Sequence, residues 1–177
     1  PGEAAKALPR FVAHPTWQVR IYAARAAGVM GAVDPLTALM SDAADNVREA
    51  ALTALVELKR PEAVAAAIDS LSRADYQLVL TAVRALEDKT HAAKATSPLI
   101  TALGRITKER KDTARDPRLA ILNRLQWYGD AAQAVNLEGY LNDFDAAVAA
   151  KAPEILSAWT GRPRTATPQP LTGPTVT

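Results

Sequence analysis

The stretch HPTWQVRIYAARAAG at residues 14–28 decides the fold, because its skeleton of a valine, an arginine and spaced alanines returns in AADNVREAALTALVEL at residues 43–58. Setting Val19 on Val47 places Ala23 on Ala51 and Ala26 on Ala54, an offset of 28 residues. Setting Val47 on Leu78, 31 residues on, pairs Ala51 with Ala82, Ala54 with Ala85 and Leu55 with Leu86. A further match from Leu78 to Val148 pairs Ala82 with Ala152 and Leu86 with Leu156. Within each repeat the apolar positions fall at i, i+4, i+7 and i+8. That is one stripe along an α-helix, with small alanines where a neighbouring helix must come close. These segments are read as inner helices. Thr16, Asp75, Asp116 and Asp145 stand three residues ahead of the key apolar position, and Asp45 two ahead, where short oxygen-bearing side chains cap a helix.

Upstream of each inner helix lies a second helical run: DPLTALMSDA, RPEAVAAAIDSL, SPLITALGRI and AAQAVNLEGYLNDF. Pro35, Pro61 and Pro98 open three of them, where a missing N–H costs nothing and a fixed φ suits the first turn, with Asp34 and Ser97 at the cap position. The first outer run, around AAKALPRFVA, is expected to be truncated or bent at Pro9. One repeat departs from the rule: ITKERKDTARDPRL inserts a charged stretch at residues 107–118 and sets the next inner helix on Leu119, Leu122 and Trp127. An insertion of this kind belongs in a surface loop. About five helix pairs are therefore expected over residues 1–160, followed by a proline- and threonine-rich linker or tail at 161–177.

Composition excludes several functions. The chain has 177 residues, 49% of them hydrophobic, and no run long and apolar enough to span a membrane. Alanine supplies about a fifth of it and aromatics only 5%, which suits closely packed helices. With no cysteine there is no disulfide, thiolate nucleophile or cysteine-bound zinc. The net charge of +2 is carried by Arg162 and Arg164, so residues 1–160 are balanced and offer no strong field for phosphates. The opening PGEAAKALPR shows no targeting signal and reads as a piece of a longer protein.

Val19, Arg20, Ala23 and Ala26, then Val47, Arg48, Ala51 and Ala54, closely resemble the bacterial HEAT-like repeats, the group that includes the phycobilisome-lyase type. The resemblance covers residues 4–160 and thins where Val79 and Ala149 occupy the arginine position. It implies an all-α, right-handed superhelical solenoid in which each helix pair touches only its neighbours and inner helices line a concave face. It also implies that Arg20 and Arg48 form a structural ladder with Asp42, Asp45 or their neighbours. SAWTGRPRTATPQPL, at the end of the array, resembles the junction between such an array and a cyclophilin-type peptidyl-prolyl isomerase domain. That likeness implies a substrate-gathering arm, a neighbouring domain after residue 177 and an extracytoplasmic location.

No catalytic residue, metal or cofactor is expected: the only histidines, His14 and His91, sit at turns or helix ends, and the pairs Asp42/Asp45 and Asp143/Asp145 are explained by capping and solvation. The expected binding surface is the exposed side of the inner helices, where Arg25, Thr53, Arg84 and Glu154 occupy equivalent places beside Gln18, Tyr22 and Leu80. Mixed charge with tyrosine and arginine suits a protein or peptide ligand. The alternatives are a structural spacer, a nucleic-acid binder or DNA glycosylase using Trp17, Trp127, Trp159 and the run Lys108, Arg110, Lys111, Arg115, and a lyase-like action supported by fold alone.

Overall fold

The structure is a computed structural model that describes residues 2–167; the last ten residues of the expected tail, 168–177, and any neighbouring domain lie outside the described residues. The fold is all-α. Among the described residues there are nine α-helices and three 3-10 segments, and the chain divides into two compact units, Pro1–Ala102 and Leu103–Thr177.

The first unit carries three helix hairpins. They are α1 (Gly2–Val12) with α2 (Trp17–Met30), α3 (Val33–Leu39) with α4 (Asp45–Glu57), and α5 (Glu62–Ser70) with α6 (Tyr76–Ala85). Turns of a few residues force the two helices of each hairpin to run antiparallel. The inner helices pack in series, α2 on α4 and α4 on α6. The alanine stripe makes this possible: Ala23, Ala24 and Ala27 on α2 and Ala51 and Ala54 on α4 are buried. Leu36, Leu52 and Leu55 fill the space between inner and outer helices, each worth about 1.5–3 kcal/mol when taken from water. Closest approach falls at Gly28, where an added Cβ would lie 2.9 Å from that of Ala54. Three residues on, Gly31 ends α2 at φ 67°, a left-handed conformation that lets the Ala32 N–H return to the Ala27 carbonyl at 2.9 Å.

Several local expectations are corrected. Pro9 lies inside α1, which runs on to Val12. Pro98 does not open its helix: α7 (Ala92–Lys108) starts six residues earlier, directly after a 3-10 turn at Lys89–His91, so Ser97 is a helix-interior residue. Pro35 sits in the first turn of α3, while Pro61 is the residue ahead of α5. Of the expected caps, the Asp75 carboxylate accepts from the Leu78 N–H, and Asp145 accepts from those of Ala147 and Val148. Thr16 precedes α2 without a side-chain cap bond, and Asp45 and Asp116 lie within the first turns of their helices.

The second unit is built differently. After a second 3-10 turn, Asp112–Ala114, comes α8 (Arg115–Tyr128). Its buried face is Pro117, Arg118, Ile121, Leu122 and Leu125, so the expected register on Leu119 and Trp127 is wrong by two residues, and Trp127 is exposed. The run AAQAVNLEGYLNDF forms a long 3-10 segment, Ala131–Asn142, where an α-helix was expected. Its inward residues Ala134, Leu137 and Tyr140 recur every third residue, the spacing that a three-residue turn stacks on one side. Helix α9 (Ala146–Thr160) packs against both this segment and α8, burying Val148, Ala152, Ile155 and Leu156. The first residues of the expected tail fold back: the Arg164 N–H donates to Ser157 Oγ at 2.9 Å, its guanidinium reaches Glu138 at 3.2 Å, and the Thr167 N–H donates to the Leu141 carbonyl at 3.1 Å.

Candidate functional site

Counting from the first residue of each inner helix, Arg25, Thr53 and Arg84 all stand at the ninth position, and all three are exposed. Because α2, α4 and α6 pack in series, these side chains form a row across the first unit. Glu154 takes the same position on α9 and is exposed there, in the second unit. Gln18 and Tyr22 are exposed on α2, Tyr22 to 67%, whereas Leu80 is half-buried rather than free at the surface. The Arg25 guanidinium stands 5.7 Å from the centre of the Tyr22 ring, close enough for a cation–π contact that holds both groups on one face.

Beside this row a groove of about 420 Å³ runs between α2 and α4. Gly28, Ala50 and Ala54 line it with almost no side chain, which is why it is open. Arg25 and Val29 border it on α2, and Glu49, Thr53 and Glu57 on α4. Glu49 is steadied by the Thr81 hydroxyl of α6, which donates to it at 3.2 Å. Neither glutamate has a cationic partner among the described residues. The groove offers donors, acceptors and an apolar edge over about two helical turns.

Beneath the row, arginine and aspartate tie successive helices together. Arg20 donates to both carboxylate oxygens of Asp42, at 2.5 and 2.8 Å, and to the carbonyls of His14 and Pro15. The Arg20 hydrogen bond holds Asp42 below the usual carboxylate range, against the opposing effect of burial and with help from the Ala44 N–H. Arg48 donates to the Asp42 carbonyl at 2.6 Å and lies 3.9 Å from Asp45 and 3.6 Å from Asp69. Asp45 in turn accepts from Arg73 at 2.8 Å.

The second unit repeats the rung at a residue the sequence reading passed over. Arg118 is the fourth residue of α8, as Arg20 is of α2, and its guanidinium pairs with Asp143. Asp143 stands five residues before Val148, as Asp42 stands five before Val47, and accepts from the Asp145 N–H as Asp42 accepts from that of Ala44. Arg118 also donates to Thr107 and lies over the Phe144 ring at 4.6 Å, while Arg110 approaches the same ring at 4.7 Å. That shared five-residue spacing was the available signal; Pro117 in the valine position hid it. Nearby, burial pushes the Asp145 carboxyl up, but Arg115 and the N–H groups of Val148 and Ala147 outweigh it and leave the group below its ordinary value.

His14 accepts the Thr16 N–H through Nδ1, a turn-building role. Among the described residues no three His, Cys, Asp or Glu side chains come together where they could hold a metal ion, and no helix is long and apolar enough to cross a membrane.

A row of equivalent residues on packed inner helices, tied by an arginine–aspartate rung, is the pattern a repeat family would leave. Residues 4–87 match the family model described as HEAT repeats. That segment is similar to HEAT repeats. The match takes in the HEAT-like hairpins from α1 to α6, all within the first unit, and a little under half of the chain. HEAT repeats generally serve as protein-interaction scaffolds. No curated protein shows significant sequence similarity to the chain.

Proposed function

We propose that the HEAT-like segment is a noncatalytic protein- or peptide-binding scaffold, with its binding face on the exposed side of α2, α4 and α6. One observation carries this reading: Arg25, Thr53 and Arg84 repeat at one exposed register position, beside an open groove and an exposed, arginine-stacked Tyr22. Tyrosine and arginine are the side chains that most often anchor protein interfaces, because each joins a large contact area to directional hydrogen bonding. Gln18 and Leu80 extend the face at its edges, and Glu154 offers the same register position on the second unit. The Arg20, Arg48, Asp42 and Asp45 ladder fixes the helices that present it.

The finer form of the proposal is a domain-positioning arm of a larger bacterial protein, with the chain after α9 raising the ligand's effective concentration near a following isomerase domain. It rests on the resemblance of SAWTGRPRTATPQPL to such a junction. The test is affinity capture on the immobilised chain, with a Tyr22→Ala, Arg25→Glu, Arg84→Glu variant as comparison. All three side chains are exposed, so the variant is expected to keep the native circular dichroism. A protein retained by the native chain and lost from the folded variant supports the binding face; equal recovery supports a structural spacer.

A further inference from the structure

A hollow of about 520 Å³ lies on the far side of α2, between it and α1. Ala4, Ala7, Ala23 and Ala26 contribute small side chains to it, and Phe11, Tyr22, Val29 and Met30 stand exposed around it. No charged residue lines it.

The register of the repeats says what this face is built to receive. On the α4 side the groove is lined by Glu49, Ala50, Thr53, Ala54 and Glu57 and by Leu58 just beyond the helix, with Ala54 the residue that closes on Gly28 of α2. Moved back by the 28-residue offset, four of these six positions, Ala50, Ala54, Glu57 and Leu58, become Tyr22, Ala26, Val29 and Met30, which line the hollow, while Glu49 and Thr53 become Ile21 and Arg25, which do not. The face that α4 turns toward the hairpin before it is therefore the same face that α2 leaves open. The substitutions are also directional. Ala50 becomes Tyr22, and Glu57, which tolerates water, becomes Val29, a residue 92% exposed. An apolar residue replaces a charged one where solvent would otherwise favour the charge.

We infer that the α1–α2 face is a docking surface for one more helix hairpin of the same repeat type. Such a partner must present a glycine or alanine opposite Ala26, as Gly28 is presented to Ala54, and leave a groove beside it for the Tyr22 ring. Tyr22 and Val29 border this hollow as well as the face proposed for α2, α4 and α6, so the two surfaces share an edge along α2, while Ala4, Ala7, Phe11, Ala26 and Met30 belong to the hollow alone.

The probe is the chain's own first hairpin. A copy of residues 2–32 is fused to the N-terminal side of Gly2 in the full chain, with leucine replacing the copy's methionine so that the original Met30 is read alone. Hydroxyl-radical oxidation is followed at Tyr22 and Met30 of the original hairpin, with the buried Met40 as internal reference. The expected result is several-fold slower oxidation of Tyr22 and Met30 and a higher thermal midpoint, both lost when the copy carries Gly28→Leu. An added hairpin that stays unfolded, or folds while Tyr22 and Met30 oxidise as before, overturns the inference. Protection of the same residues by self-association of the unextended chain, seen as a dimer in analytical ultracentrifugation, also overturns it, in favour of a second copy.

Discussion

In the first unit Arg20 reaches Asp42 from a side chain that still touches water, and the helices it ties together are packed through alanine and glycine. In the second, Arg118, with no exposed surface of its own, meets a nearly buried Asp143 and also contacts Phe144 and Thr107. One rung thus serves two surroundings. Where solvent helps to stabilise the charges, the pair sets the spacing of helices at modest cost. Where solvent is excluded, the same pair must be satisfied from within, and every missing partner costs several times more.

Breaking the buried rung should have the largest effect. Arg118→Ala strands Asp143 and is expected to destabilise the second unit by about 3–5 kcal/mol, read from denaturant unfolding with Trp127 and Trp159 as reporters. Replacing both partners by apolar residues should recover much of that loss. The next largest change falls on the first unit: Gly28→Val forces α2 and α4 apart at Ala54 and should cost about 1–3 kcal/mol, visible through Trp17.

Asp42→Asn weakens the more exposed rung and should cost about 1–2 kcal/mol near neutral pH. Its pH signature sharpens the comparison. A carboxylate held below its ordinary value stabilises the fold above the unfolded pKa of about 3.9 and loses that contribution as pH falls through the folded value. The native chain should therefore lose stability as pH drops below about 4, and Asp42→Asn should flatten part of that slope. Asp75→Ala removes a cap bond at α6 and should cost about 1 kcal/mol. The smallest effect is a gain: Lys59 has φ 52° at the end of α4, so Lys59→Gly is expected to stabilise by less than about 1 kcal/mol.

The same contrast explains how much could be read from sequence. The first unit was legible because its inner helices keep one internal pattern of apolar and alanine positions at offsets of 28 and 31 residues, and Val19/Arg20 and Val47/Arg48 mark the register directly. The fold class and the three hairpins followed from that. Arg118 stayed hidden because Pro117 replaces the valine ahead of it and the charged run before α8 changes the spacing, so Leu119 looked like the repeat position. The run AAQAVNLEGYLNDF reads as a second helical run when its period is disregarded, and the three-residue spacing of Ala134, Leu137 and Tyr140 is what marks it as a 3-10 segment. Pro98 marked no helix start, since α7 had already begun at Ala92 and carries the proline within it. Of the candidate face, the exposed row at Arg25, Thr53 and Arg84 was legible from register alone. The groove was not, because its openness depends on which small side chains meet across two helices.

The most direct test of the proposed binding face compares the two units in one experiment. A photo-crosslinking side chain is introduced at Thr53, in the exposed row of the first unit, or at Val135, an exposed apolar residue of the second. Each chain is then irradiated in an extract of the source cells. The account predicts a discrete protein adduct from position 53 and none from position 135, with the adduct lost when Tyr22→Ala and Arg25→Glu are added. The same adducts from both positions, or none from position 53, would contradict it.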